Sequence, residues 1–295
     1  MAVIAVLGLG SMGMGMALSC LRAGHEVLGF DPRPDAVRAL RAAGGVALTA
    51  ESAPRVEILV SVVLNTAQTE TALFGSEGWA GKLAEGGVVI SSATIPAADA
   101  RRYAATAAEQ GLFYLDAPIS GGATKAVEGR LSIMASGDEE AFAKARPALD
   151  AMAETVHALG PEAGTGSAMK SVNQLLAGTH IAAMAEAMTF GVAQGLKPED
   201  ILRVISVSAG NSWMFENRAP HVVEGDYTPL STVAIWPKDL GIVTEAASAM
   251  GLDLPVARRA LGQFREAAEA GLAQEDDAAI AKFYAERAGL KLPGE

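Results

Sequence analysis

The sequence predicts a doubly wound α/β domain over residues 1–163, followed by an all-α domain over residues 164–295. Three observations predict it. The chain opens on a strand, a glycine-rich turn, a helix and a second strand; strands and helices then alternate to about residue 160; and no strand pattern returns after Gly164.

Taken in order, Val3–Leu7 is a short apolar run that stops at Gly8. Residues 12–23 are rich in helix formers and end at Gly24, and residues 26–30 read as the second strand. Residues 35–43 read as a helix, 57–63 and 87–91 as buried strands, 97–110 as a helix stopped by Gly111, and 113–116 and 132–136 as further strands. Parallel strands need helical crossovers, so this half is expected to carry helices on both faces of its sheet. Beyond Gly164, residues 167–194, 198–208, 239–250, 255–270 and 277–287 read as helices, with Gly195, Gly251 and Gly271 where helix stops belong. The first of these is unusually long, and it is expected to join the domains and form the floor of the cleft between them. Its apolar stretch, residues 175–192, holds His180, Glu186 and many small residues. That composition points to a buried helix rather than a bilayer span, which wants roughly 20 strongly apolar residues.

Composition narrows the function. Half of the residues are hydrophobic and only 5% are aromatic, so Ala, Gly, Val and Leu fill the core. The formal net charge is -11, from 34 acidic and 23 basic residues, which argues against nucleic-acid or anionic-membrane partners. A small anionic substrate is still compatible with a local lysine or a cluster of backbone N–H groups. The single cysteine, Cys20, excludes an intrachain disulfide and a multi-cysteine metal site, and it fits a reducing cytoplasm. The apolar start has no basic segment and is broken by glycines, unlike a secretory signal.

Three segments carry candidate chemistry. Gly8-Leu9-Gly10-Ser11-Met12-Gly13 follows a strand and opens a helix, the context in which G-x-G-x-x-G binds a dinucleotide. Gly8 allows the tight turn, Gly10 lets a pyrophosphate approach the backbone, Gly13 lets the helix pack on the strand, and the phosphates meet the helix's free N–H groups. Asp31, 23 residues after Gly8, stands where a carboxylate receives the adenine ribose hydroxyls. It would repel a 2′-phosphate and so favours NAD, while Arg33 keeps NADP as the alternative. The second segment is Asp116-Ala-Pro-Ile-Ser-Gly-Gly122, whose glycines and Ser120 would suit a carboxylate. By itself it reads more simply as a strand-to-loop turn. The third runs from Gly164 to Gln174; on a helix Lys170 shares a face with Asn173 and Gln174. Spacing alone favours a surface lysine over a desolvated acid–base.

Together the segments resemble the β-hydroxyacid dehydrogenase family, which includes 3-hydroxyisobutyrate and tartronate semialdehyde dehydrogenases. The patterns G-x-G-x-M-G, D-A-P-x-S-G-G and K-D-L (Lys238-Asp239-Leu240) occur intact and in order, and G-x-G-x-x-x-K-x-x-N-N differs only at Gln174. The resemblance spans nearly the whole chain and reverses the reading of Lys170. It implies a Rossmann-type domain, an all-helical domain, and Lys170 as the catalytic acid–base. Ser120, Gly121 and Gly122 would hold the substrate carboxylate, and Asn173 would orient Lys170 and substrate. Lys238, Asn65 and Thr94 would line the cofactor, with Asp239 fixing the start of its helix. The segment before Thr94, Ser91-Ser-Ala, departs from the acidic-Ser-Thr form of relatives.

Closer similarity, in residues 209–217 and 223–227, is to the branch that oxidises four-carbon sugar acids such as L-threonate at C2. Asn211, Ser212 and Gln174 would then meet the substrate's outer hydroxyls; otherwise Asn211 and Trp213 end one helix and pack the next. A 3-hydroxyisobutyrate dehydrogenase and a tartronate semialdehyde or glyoxylate reductase are the alternatives within the family. Outside it stands a catalytically silent NAD-binding scaffold, against which Lys170, Asn173 and Lys238 all speak. Family resemblance also implies a homodimer or homotetramer. No Tyr-x-x-x-Lys pair is present, and one Cys with four His is too few for a zinc alcohol dehydrogenase.

Overall fold

The computed structural model of the protein describes residues 1–294. The chain divides into two compact units, Met1–Lys170 and Ser171–Glu295. In the first, the strands β1 (Val3–Leu7), β2 (Glu26–Phe30), β3 (Val46–Ala47), β4 (Ile58–Ser61), β5 (Val88–Ser91) and β6 (Phe113–Asp116) form one parallel sheet in the order β3-β2-β1-β4-β5-β6. Pairing is regular, with Ile4 opposite both Val27 and Ile58. All of β4 and β5 is buried, as expected for parallel strands covered on both faces.

Alternate residues feed two cores. Ile4, Val6, Ile58, Val60, Val88 and Ile90 pack with Met16 and Ala17 of helix α1 (Ser11–Arg22). Ala5, Leu7, Leu59 and Val89 pack on the other side, with Leu73 of helix α3 (Thr66–Phe74) and Tyr103 of helix α4 (Ala97–Glu109). Helix α2 (Pro34–Ala42) completes the crossovers between β2 and β3.

The strand expected at 132–136 is present one residue earlier, but not in the main sheet. It is β8 (Leu131–Ala135), the centre of a second sheet with β7 (Ile119–Ser120) antiparallel to it and β9 (Ala153–Ala158) parallel. Strand β9, Ala-Glu-Thr-Val-His-Ala, has no apolar run to mark it, because four of its six residues are exposed. The short helix α5 (Gly122–Glu128) and α6 (Glu139–Met152) connect these strands; Asp138 caps α6 by accepting from Ala141 N at 2.7 Å.

Helix α7 (Thr165–Ala193) is 29 residues long. It is apolar and long enough to cross a membrane by length and composition, yet Ile181, Met184, Ala185 and Met188 form a stripe inside the core of the second unit. Around that stripe stand α8 (Pro198–Ile205), α9 (Trp213–Glu224), α10 (Ile235–Ala249), α11 (Pro255–Ala267) and α12 (Ile280–Arg287). No named strand occurs among the described residues of this unit. Two expectations need correction. Residues 213–224 are helical despite Pro220, because Ser212 caps the helix by accepting from Phe215 N at 3.0 Å. Helix α10 starts at Ile235, with Pro237 tolerated in its first turn, so Asp239 does not fix a helix start but lies one turn inside.

A buried charge cluster pins this unit. Arg218 bonds Asp277, which also accepts from Trp236 Nε1 at 3.0 Å. Asp276 accepts from Leu230 N and Ala278 N, and His221 Nδ1 lies 3.2 Å from its Oδ1. The hydrogen bond to Asp276 holds the His221 pKa above its ordinary value, more than offsetting partial burial. Burial works to raise Asp276, but its donors, His221 first, bring it below its ordinary value. The charged form of His221 is therefore favoured by folding. Its contribution is complete below the unfolded pKa of about 6.5 and is lost as pH rises through the higher folded value. The thermal midpoint should fall over that upward range, and His221→Gln should remove most of the slope. An unchanged slope in the variant would assign it elsewhere.

Candidate functional site

The glycine turn lies where the carboxyl end of β1 meets α1. Gly8 has φ +87°, and a Cβ there would overlap the Val62 carbonyl oxygen; a Cβ on Gly13 would overlap the carbonyl of Gly8. Gly10 differs, since nothing lies within 4 Å of where its Cβ would be. Gly10 is also the N-cap of α1 and supplies no side chain to cap it. The first intrahelical bond runs from Met14 N to Gly10 O, so the N–H groups of Ser11, Met12 and Gly13 have no acceptor within the helix. An open space over free helix N–H groups fits the pyrophosphate of a dinucleotide.

Asp31 is nearly buried at the end of β2. Its Oδ2 accepts from Leu9 N at 2.8 Å, and its Oδ1 from Arg33 N and Nε, each at 2.9 Å. The Arg33 side chain, chiefly through its hydrogen bond, holds the Asp31 carboxyl below the usual range and keeps it charged. The same carboxylate thus fastens the turn that it flanks. Asn65 follows β4 and caps α3, accepting from Gln68 N at 2.9 Å, while Thr94 follows β5. Gly8, Asp31, Asn65 and Thr94 all lie at the carboxyl edge of one sheet, beside the point where strand order reverses between β1 and β4. That edge is where open α/β sheets bind ligands.

Asp116 ends β6 and was not singled out from the sequence as a functional residue. It is wholly buried. Its Oδ2 accepts from Gly164 N at 2.9 Å and Ser167 N at 2.8 Å, and its Oδ1 from Ser167 Oγ at 2.6 Å. Ser136 Oγ approaches it at 3.4 Å while accepting from Gly166 N. Burial pushes the Asp116 carboxyl above the usual range, against the pull of those donors. Gly166 comes so close to the sheet that a Cβ would lie 2.7 Å from the Asp116 carbonyl oxygen. The Gly164-Thr-Gly166 start of the third segment is thus the contact that lets α7 begin against β6.

One turn further along α7 stands Lys170, only 7% exposed, its Nζ donating to Ile119 O at 2.9 Å. The structure replaces the surface lysine favoured by spacing alone with a desolvated one. Ile119 is followed at once by Ser120, Gly121 and Gly122, the last two at φ +131° and +76°. Lys170 Nζ is therefore held against the very loop expected to take a carboxylate.

In the second unit, Asn173 Nδ2 donates to Gln174 Oε1 at 2.9 Å, and Gln174 Nε2 donates to Asp239 Oδ2. Lys238 Nζ pairs with Asp239 Oδ1 at 2.6 Å. Asn211 Nδ2 donates to Ser206 O and Glu216 Oε1, and its Oδ1 is buried with no protein partner. Ser212 is the cap of α9, and Trp213, the first residue of that helix, is 58% exposed.

Comparison with known proteins agrees with both halves. Residues 3–160 match the NAD-binding domain of 6-phosphogluconate dehydrogenase, and residues 164–284 match the NAD-binding family of NADP-dependent 3-hydroxyisobutyrate dehydrogenase. The chain is 47% identical over 294 residues to an L-threonate dehydrogenase of Cupriavidus necator, covering 99% of this chain and 98% of that one. It is 47% identical to an L-threonate dehydrogenase of Haemophilus influenzae, covering 98% and 96%. A crystal structure described as 3-hydroxyisobutyrate dehydrogenase from Salmonella typhimurium superposes with a TM-score of 0.91 at 47% identity, covering 96% of this chain and 100% of that one.

The buried carboxylate gives a direct stability test. Asp116→Ala strands the donors of Gly164 and Ser167 without an acceptor, at a cost of about 2–5 kcal/mol. Thermal or denaturant unfolding of the variant should show this loss, and a wild-type melting point would contradict the account of how α7 starts.

Proposed function

The chain belongs to the β-hydroxyacid dehydrogenase family of nicotinamide-dependent oxidoreductases, and we propose that it oxidises a four-carbon sugar acid, L-threonate, at C2. The observation that carries the mechanism is the buried Lys170, held at Ile119 O beside the Ser120-Gly121-Gly122 loop. Ser120 and the N–H groups of Gly121 and Gly122 bind the substrate carboxylate. Lys170 Nζ takes the C2 hydroxyl proton, the C2–H bond gives up its hydride, and a 2-oxo acid remains. NAD supplies the hydride acceptor.

Gly8, Gly10, Ser11, Met12 and Gly13 would hold the cofactor's pyrophosphate and Asp31 its adenine ribose, with Asn65, Thr94 and Lys238 as the further residues that would hold it. Asp31 is already charged by its pairing with Arg33, which favours NAD over a 2′-phosphorylated cofactor. Asn173 faces the substrate from the same side of α7 as Lys170, three residues on. Asn211, through its spare Oδ1, and the Ser212 hydroxyl serve the outer hydroxyls. The protein works in the cytoplasm as a homodimer or homotetramer. Supporting self-association, α7 exposes Met169, Val172 and Leu176, three and four residues apart, and Phe190 further along.

The Salmonella structure's description favours 3-hydroxyisobutyrate as the competing substrate. A spectrophotometric screen decides between them, offering L-threonate, D-erythronate, 3-hydroxyisobutyrate, D-glycerate and 6-phosphogluconate, each with NAD and NADP. L-threonate with NAD should give the highest kcat/KM, by at least about tenfold. A preference for 3-hydroxyisobutyrate would overturn the substrate while leaving the family. NAD binding without turnover of any hydroxy acid would overturn the enzymatic reading itself.

A further inference from the structure

Gln174 is the position at which the third motif departs from the family pattern, and its amide is engaged at both ends. Oε1 accepts from Asn173 Nδ2 at 2.9 Å, and Nε2 donates to Asp239 Oδ2. Asp239 in turn pairs through Oδ1 with Lys238 at 2.6 Å. Gln174 is 8% exposed and Asp239 3%. Four side chains thus form one polar chain within the second unit, running from α7 to α10.

The polarity of that chain is set at Asp239. A carboxylate only accepts, so the part of Gln174 facing it must be the NH2 group. The Gln174 carbonyl is then left for Asn173, which must turn its own NH2 group inward. The Asn173 atom not used by the chain is Oδ1, an acceptor. Reach matters as well. An asparagine at position 174 is shorter by one carbon–carbon bond, about 1.5 Å, and could not bridge Asn173 and Asp239 from the same backbone.

We infer that Gln174 and Asp239 are positioning residues, which fix the Asn173 amide with Oδ1 presented as the acceptor for a substrate hydroxyl, and that Gln174 itself does not touch the substrate. The inference rests on the reading of Asn173 as a substrate-side group. It changes the role expected of Gln174: the longer amide is used to span inside the protein, not to reach outer hydroxyls.

Two measurements on the full-length protein test it. The first needs no turnover. In nitrogen-15 spectra, the Asn173 side-chain NH2 signals should move in Asp239→Asn, although Asp239 is not bonded to Asn173. They should move in Gln174→Leu and Gln174→Asn as well. Unmoved Asn173 signals in the Asp239→Asn protein would overturn the inference; should that variant fold poorly, the two Gln174 variants carry the same test.

The second is kinetic. Gln174→Asn and Asp239→Asn should each lower kcat/KM about tenfold, by the same factor for L-threonate and for D-glycerate, which lacks the fourth carbon. The double variant should be no worse than the weaker single one, as for two links of one chain. A loss confined to L-threonate, or losses that multiply, would make Gln174 a substrate ligand and overturn the inference. Wild-type protein that turns over no hydroxy acid would defeat the functional reading, while the amide spectra still decide the orientation of Asn173.

Discussion

The Asp116 carboxylate, at the carboxyl end of the last strand in the main sheet, takes hydrogen bonds from Gly164 and Ser167 at the start of α7. A helix start normally leaves its first N–H groups to water or to a local cap. Here Ser167 N, and Gly164 N just before the helix, go to an acid on β6, deep enough that burial raises its pKa, while Gly166 N goes to Ser136 Oγ. Gly166 permits the close approach, and Lys170 follows one turn later with Nζ on Ile119 O, three residues past Asp116. The carboxylate and Lys170 Nζ thus tie the same helix to both ends of one short segment, Asp116-Ala-Pro-Ile119. A lysine so placed loses water and most of its freedom, the conditions under which an amine serves as an acid–base.

The other fixed points serve as supports in the same manner. Asp31 binds Leu9 N and so braces the glycine turn that it flanks. Asp239 orients two amides in succession, and Asp276 and Asp277 hold Arg218, His221 and Trp236 in the helical core. Each of these carboxylates is almost inaccessible to solvent and each has named donors, which is what makes such burial tolerable.

Much of this was legible beforehand. The glycine turn, the strand after it and Asp31 follow a spacing that physics imposes on dinucleotide binding, and the parallel strands announce themselves as short apolar runs. What escaped notice shares a cause: its signal is not local. Strand β9 exposes most of its side chains and is defined by its partner β8. Helix α10 begins four residues before its expected first residue, with Pro237 accepted in its first turn. Asp116 looked like an incidental member of its motif and Asp239 like a helix start, since the donors Gly164 and Gln174 lie 48 and 65 residues away. Lys170 was ambiguous for the same reason, because spacing on a helix gives its face but not what covers that face.

The most direct measurement of the central claim is turnover by Lys170→Ala with L-threonate and NAD, alongside NAD affinity measured by fluorescence titration. Loss of a positioned acid–base predicts a fall in kcat of about 10²- to 10⁴-fold with the cofactor still bound, partly restored by added small primary amines. Turnover near the wild-type rate with cofactor bound would contradict the account.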